Sequence, residues 1–179
     1  MRGEIPFESA LRERVALLKG LPESTLTRVF KERVHLNDGA RVLVRTMTEH
    51  GATTALISGG FTFFTSRVAE VAGFATHQAN ELLVQDVALA GTVREPILGR
   101  EAKREALLRL AREHNISPLD ALAIGDGAND LDMINEAGLG VALHAKPHVQ
   151  ASSLIRINHC DLTGLLYLQG YRKDQFVLA

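Results

Sequence analysis

Phe7, Ala10, Leu11, Val15 and Leu18 recur at steps of three and four, with Arg12, Glu13 and Arg14 between them. That spacing predicts an amphipathic helix over residues 7–20, ended by Gly20. Pro22 suits the first turn of a second helix, which the pattern carries to Val34. Asp38 is the expected N-cap of a third helix, residues 39–50, with His50-Gly51 as its stop.

The period then changes. Thr53-Thr-Ala-Leu-Ile-Ser58 is a short apolar run rich in β-formers, ended by Gly59-Gly60, and a helix over residues 62–72 is closed by Gly73. Residues 80–94 alternate around a turn, as a hairpin ending at Gly91-Thr-Val-Arg94 would. Residues 100–114 read as a charged helix with Ala102, Leu107, Leu110 and Ala111 on one side. Ala121-Leu-Ala-Ile-Gly125 reads as a buried strand, followed by a helix from Asn129 to Ala137 that Gly138 stops. Strands are expected at Leu139–Leu143 and Leu154–Ile157, and Asp161 opens a short helix that runs to Gln169.

From residue 51 onward strand and helix alternate, and the strands are continuously apolar, as strands covered on both faces must be. The expectation is an α/β fold, a parallel, doubly wound sheet with helices on both faces. The opening segment carries no strand. Residues 1–36 are therefore expected to be part of a small helical cap, and residues 37–179 the core domain.

Composition narrows the function classes. The 179 residues are 46% hydrophobic and 23% charged, ordinary globular usage that excludes disorder as the dominant state. Aromatics are 5% with no Trp, which argues against an aromatic platform for stacking bases. Twenty basic and 21 acidic side chains leave a net charge of −1, with no basic field for nucleic acid or an anionic membrane. Cys160 is the single cysteine, so neither an intrachain disulfide nor a cysteine zinc cluster is available, in keeping with a cytoplasmic setting. Met1-Arg-Gly-Glu-Ile-Pro places an acid where a secretion signal would be apolar, and no 18-residue apolar stretch occurs, so neither a leader nor a membrane span is expected.

The sharpest chemical signal is Gly125-Asp126-Gly127-Ala128-Asn129-Asp130, directly after a buried strand and opening a helix. In an open α/β sheet that position faces the ligand crevice. Two carboxylates four positions apart across a glycine turn can converge on a hard cation, and Mg²⁺ is often held by one or two carboxylates plus substrate phosphate. The alternative is a capped turn, with Asp126 accepting from a nearby amide and Asp130 favouring the helix N-terminus. A second signal is Ser58-Gly59-Gly60, a hydroxyl and free amides suited to a phosphoryl oxygen, or else a simple N-cap. A third is Lys103, by itself a solvated helix lysine, but also the balancing cation that a phosphate site with two carboxylates needs.

In this order, Ser58, Lys103 and the Gly-Asp-x-x-x-Asp run resemble motifs II, III and IV of the haloacid dehalogenase superfamily. Phe7-Glu-Ser-Ala-Leu-Arg-Glu-Arg-Val-Ala-Leu-Leu-Lys19 is similar to the cap segment of phosphoserine phosphatases. So are Ile57-Ser-Gly-Gly-Phe61, Ala145-Lys-Pro147 and the ending from Asp161-Leu-Thr to Gln169-Gly-Tyr-Arg-Lys173. The similarity covers nearly the whole chain. It implies a Rossmann-like core and hydrolysis of O-phosphoserine to serine and phosphate, the last step of serine biosynthesis, with Mg²⁺. Asp126 would bind the metal and Asp130 support it. Ser58, Gly59, Lys103 and Asn129 would hold the phosphoryl group, and Phe7 and Arg14 would meet the serine end of L-phosphoserine. A guanidinium suits that end because it pairs bidentately with a carboxylate. A homodimer is compatible with the sequence.

The resemblance also implies an aspartate nucleophile and a second Asp two residues on as acid and base, in an Asp-x-Asp-x-Thr motif after a first, central strand. No strand followed by Asp-x-Asp-Ser/Thr occurs in these 179 residues. Asp130-Leu-Asp132 has the spacing, but its first Asp belongs to the metal-site run. The expectation is thus a family member truncated at its N-terminus, beginning inside the cap. Two other readings stay open. One is the same fold acting on another small phosphomonoester or passing the phosphoryl group to an alcohol. The other is a non-catalytic module that binds phosphate or metal. A dinucleotide-binding site is excluded, since Gly125-Asp-Gly lacks the third glycine.

Overall fold

The computed structural model describes residues 7–99 and 101–178. They form helices α1 (Phe7–Ala16), α2 (Ser24–Arg33) and α3 (Ala40–Glu49), strand β1 (Ala55–Phe61) and α4 (Thr62–Ala72), then strands β2 (Thr76–Asn80), β3 (Leu82–Gln85) and β4 (Ala88–Val93). There follow α5 (Ala102–Glu113), β5 (Leu122–Gly125), α6 (Leu131–Glu136), β6 (Leu139–Leu143), α7 (Pro147–Ala151), β7 (Ile155–Ile157) and α8 (Gly164–Leu168). The chain divides into two compact units. One takes Met1–Leu98 and Leu165–Ala179, the other Gly99–Gly164.

In the first unit β1 and β2 are parallel, joined through α4, and β3 and β4 form an antiparallel hairpin. α1 packs on β4 through Val15, which is buried. Residues 20–23 add to the hairpin edge: Gly20 N–H donates to the Leu89 carbonyl at 2.9 Å, Leu89 N–H to Leu21 at 2.8 Å, and Glu23 N–H to Val87 at 3.0 Å. The Arg12 guanidinium donates to Glu95 through Nε at 3.1 Å and Nη2 at 2.8 Å. Those hydrogen bonds hold the Glu95 carboxyl below its ordinary value. The support they give α1 is present above the ordinary carboxylate range and is lost as pH falls through that lowered value. Both groups are exposed, so its size is small. The tail returns to this unit, where Val177 N–H donates to buried Thr46 Oγ1 at 2.9 Å.

In the second unit β5, β6 and β7 are parallel in the order β5-β6-β7 and in unbroken register. Val141, Ala142 and Val149 are fully buried, and Ala145 and the partly buried Leu131 pack with Ala142 and Val149. Small residues face inward on α5, where Ala102, Ala106 and Ala111 are buried, so the helix approaches its neighbours closely.

Most elements fall where the apolar pattern predicts, and several details differ. The parallel strands form two sheets, one per unit, rather than one. β1 and β5 are each an edge, bonded on one side only, because no described strand pairs with their other side. β2 was not foreseen, since Thr76-His-Gln-Ala-Asn80 has little apolar character. α3 is preceded by Gly39 in the left-handed region and has no side-chain cap, so Asp38 is not its N-cap. The expected helix from Asn129 begins as a 3₁₀ turn, and α6 proper starts at Leu131. Asp161 caps a turn through Thr163 N–H at 2.9 Å, three residues ahead of α8. No helix of the described residues is long and apolar enough to cross a membrane.

The β3–β4 turn places Asp86 at φ 51° and Val87 at φ 62°. A two-residue hairpin turn of this hand favours Asp-Gly, because a β-branched residue there crowds its own carbonyl. Val87 is 76% exposed and buries little in return. Val87→Gly is expected to raise stability by about 0.5–1 kcal/mol, the relieved left-handed strain of ~1–2 kcal/mol less glycine's added chain entropy. Urea unfolding with an unchanged slope checks this.

Candidate active site

Two groups of side chains, one in each unit, carry the chemistry foreseen. In the second unit, β5 runs into Gly125 and the chain turns through Asp126 and Gly127 into a 3₁₀ turn over Ala128–Asp130. Asp130 folds its side chain back over that turn. One carboxylate oxygen pairs with Lys103 Nζ, and the other accepts the backbone N–H groups of Asp126 and Gly127, both at 3.0 Å. The Asp130 side chain is 3% exposed and that of Lys103 15%. A buried carboxylate is costly unless paired and bonded, and these three donors meet both requirements.

The two carboxylates of the run have different surroundings. The capped-turn alternative gave the amide bonds to Asp126. The structure gives them to Asp130 and leaves Asp126 exposed, with no hydrogen bond to its carboxylate among the described residues. Gly125 is required here because a Cβ at that position would lie inside the Asp130 carboxylate. The Asp126 carbonyl accepts from Lys146 N–H at 3.2 Å, which joins the Ala145-Lys-Pro147 segment to the same turn. Asn129 is exposed beside Asp126.

In the first unit, Ser58, Gly59 and Gly60 lie within β1 rather than after it. Ile57 pairs with Gln78 and Phe61 with Asn80, so three residues of β1 stand opposite Ala79 alone. The strand bulges at that point. Gly60 N–H donates to Ser58 Oγ at 3.0 Å, so the hydroxyl's lone pair is used and its proton is left to donate elsewhere. The Phe7 ring lies against Gly59, 3.4 Å from where a Cβ would stand. Arg14 is exposed seven residues along α1. Seven residues are two helical turns, so Arg14 shares Phe7's face about 10 Å along the axis.

The arrangement therefore brings Phe7 to Ser58-Gly59-Gly60 and Lys103 to Asp130, and it holds Asp126 and Asn129 on the turn that Asp130 fixes. It provides a hydroxyl donor beside the Gly59 peptide in one unit, and in the other an exposed carboxylate on the turn that the Asp130–Lys103 pair fixes. Asp126 is a hard oxygen donor. No group of three or more His, Cys, Asp or Glu among the described residues could hold a metal as an all-protein cage. A single free carboxylate fits a cation that takes the rest of its shell from water and a phosphorylated ligand, the manner of Mg²⁺. Sequence reasoning missed Asn80, whose buried side chain meets the bulge. Its one signal was an Asn closing a short polar run.

Asp130→Ala strands the Lys103 ammonium and two amides, and is expected to cost about 3–5 kcal/mol. Asp126→Ala removes an exposed carboxylate and is expected to change stability by less than about 0.5 kcal/mol. Denaturant unfolding of the two variants measures the contrast.

Comparison with known proteins converges on one group. The model of the haloacid dehalogenase-like hydrolase family matches residues 2–135. The phosphoserine phosphatase of Polaromonas sp. is 44% identical over 173 residues, covering 94% of this chain and 73% of that protein. The phosphoserine phosphatase of Haemophilus influenzae is 43% identical over 168 residues, and there the chain spans 53% of the relative's length. A solved phosphoserine phosphatase carrying a phospho-aspartyl intermediate analogue superposes with a TM-score of 0.85 at 36% identity, covering 94% of this chain and 80% of that one.

Proposed function

The chain belongs to the haloacid dehalogenase-like hydrolase family, and from that premise we propose that its substrate is O-phosphoserine, hydrolysed to serine and phosphate as the last step of serine biosynthesis. The observation that carries this reading is Asp126, exposed at the carboxyl end of β5 on a turn that buried Asp130 and Lys103 hold rigid. The similarity to phosphoserine phosphatases over 94% of the chain supports the choice of substrate.

In this reading Asp126 holds Mg²⁺, and the ion, when bound, supplies neutralising charge to the phosphoryl oxygens. Asp130 would support that site through the backbone. It fixes the backbone that carries Asp126 and holds Lys103 in place as a balancing positive charge. Ser58, its oxygen already accepting from the Gly60 amide, donates its O–H to a phosphoryl oxygen, and the Gly59 amide adds a neutral donor. Asn129 donates its carboxamide to the phosphate. Phe7 borders the Ser58-Gly59-Gly60 bulge and packs on the substrate's carbon chain, while Arg14, on the same helix face, pairs with its carboxylate. Residues 1–36 serve as part of the cap and residues 37–179 as the core.

Family chemistry forms an aspartyl-phosphate: a carboxylate oxygen attacks phosphorus, the serine oxygen leaves with a proton, and water then hydrolyses the acyl phosphate. The Asp-x-Asp-Ser/Thr run that the resemblance assigns to that step is not among these 179 residues. This specific observation favours a second reading for the chain by itself, in which it binds phosphoserine and Mg²⁺ without turnover.

The test pairs calorimetric binding of L-phosphoserine in Mg²⁺ with phosphate release, for the 179-residue chain and for Asp126→Asn. Metal-dependent binding is expected, and it should weaken about 10–100-fold in Asp126→Asn, the size of one lost charge-assisted contact. Release that disappears in the variant selects hydrolysis by this chain, and binding without release selects the second reading. Binding indifferent to Mg²⁺ and to Asp126 would overturn both.

A further inference from the structure

The bulge in β1 creates a problem that the strand ladder cannot solve. Three residues opposite one leave the Gly59 carbonyl without the neighbouring-strand amide it would otherwise accept from. Asn80, the last residue of β2, supplies the donor. Its Nδ2 donates to the Gly59 carbonyl at 3.1 Å, and its Oδ1 accepts the Leu98 backbone N–H at 2.8 Å. The residue is 2% exposed.

Only a carboxamide of this length meets both demands. The Gly59 oxygen needs a donor and the Leu98 N–H needs an acceptor, which also fixes which end of the amide is which. An aspartate accepts at both ends and would set a negative oxygen against the Gly59 carbonyl. A leucine would leave two polar main-chain atoms unmet. The Asn80 backbone takes its place in the ladder opposite Phe61, and its side chain does a separate job: it meets a carbonyl that is off the ladder where Ser58, Gly59 and Gly60 bulge.

We infer that Asn80 is a positioning residue for phosphoryl binding, acting through the Ser58-Gly59-Gly60 bulge. It holds the Gly59 peptide so that the Ser58 hydroxyl, itself set by the Gly60 amide, and the Gly59 amide present together. The inference rests on the reading above that this bulge holds the phosphoryl group.

The test is a double-mutant cycle of Asn80→Asp and Ser58→Ala in the full chain, read by calorimetric binding of L-phosphoserine with Mg²⁺. Amide hydrogen exchange at Gly59 and Gly60 is followed by NMR in the same variants without ligand. Asn80→Asp is expected to speed exchange at those amides at least tenfold while unfolding stays cooperative. It should weaken binding about 10–100-fold, and the double variant should bind no more than a few-fold more weakly than the weaker single variant, as groups acting through one element do. Asn80→Ser, which keeps a short polar side chain, carries the same readouts if Asn80→Asp does not fold. Unchanged exchange, unchanged binding or additive losses, with Ser58→Ala alone still weakening binding, would overturn the inference and leave the phosphoserine reading standing. Full-strength binding by Ser58→Ala and Asn80→Asp alike would overturn the reading of the bulge, and the inference with it.

Discussion

A carboxylate removed from water needs donors at both of its oxygens, and at Asp130 three converge. The Lys103 ammonium meets one oxygen, and the Asp126 and Gly127 amides meet the other. This interaction ties α5 to the turn after β5 and decides where the free carboxylate of Asp126 stands. Its geometry also excludes any side chain at Gly125. A charge pair in this setting contributes less to net stability than to uniqueness of conformation, because desolvation offsets much of the attraction. What it secures is a loop with a single arrangement.

The first unit meets a similar constraint with neutral groups. A bulge of glycines leaves a carbonyl off the ladder, and a buried carboxamide takes it up. In both units a side chain hidden from solvent serves main-chain atoms, and it sets the place of a second group, the exposed Asp126 carboxylate in one and the half-buried Ser58 hydroxyl in the other. The two solutions differ as their surroundings do. Asp130 has the Lys103 ammonium within reach as a partner, whereas Asn80 has only main-chain partners and serves them with a neutral amide.

Much of this was legible in the sequence because turn chemistry is local. Gly125 to Asp130 announced a strand, a glycine turn and a helix start, and those elements are present. The runs at Leu139–Leu143 and Leu154–Ile157 were expected as strands and form them at Leu139–Leu143 and Ile155–Ile157, the second with Arg156 exposed between two isoleucines. The parts that were not legible depend on partners distant in sequence. Which of two aspartates is buried depends on Lys103 in α5. β2 forms from polar residues because β1 offers it a ladder. Ser58-Gly59-Gly60 reads as a strand end, and only the register against Gln78 and Asn80 turns it into a bulge. The expected cap at Asp38 failed because Gly39 enters α3 in the left-handed region and no side chain bonds the helix start.

The first unit is assembled from both ends of the chain. Leu165 and Leu166, fully buried, and Val177, bonded to Thr46, belong with Met1–Leu98 rather than with the segment that precedes them. During synthesis, which proceeds from the N-terminus, Met1–Leu98 therefore appears first yet lacks Leu165 and Leu166 until the whole of the second unit's sequence has been made. Until then Met1–Leu98 is a nascent domain with an open core, exposed to whatever holds unfinished chains at the ribosome.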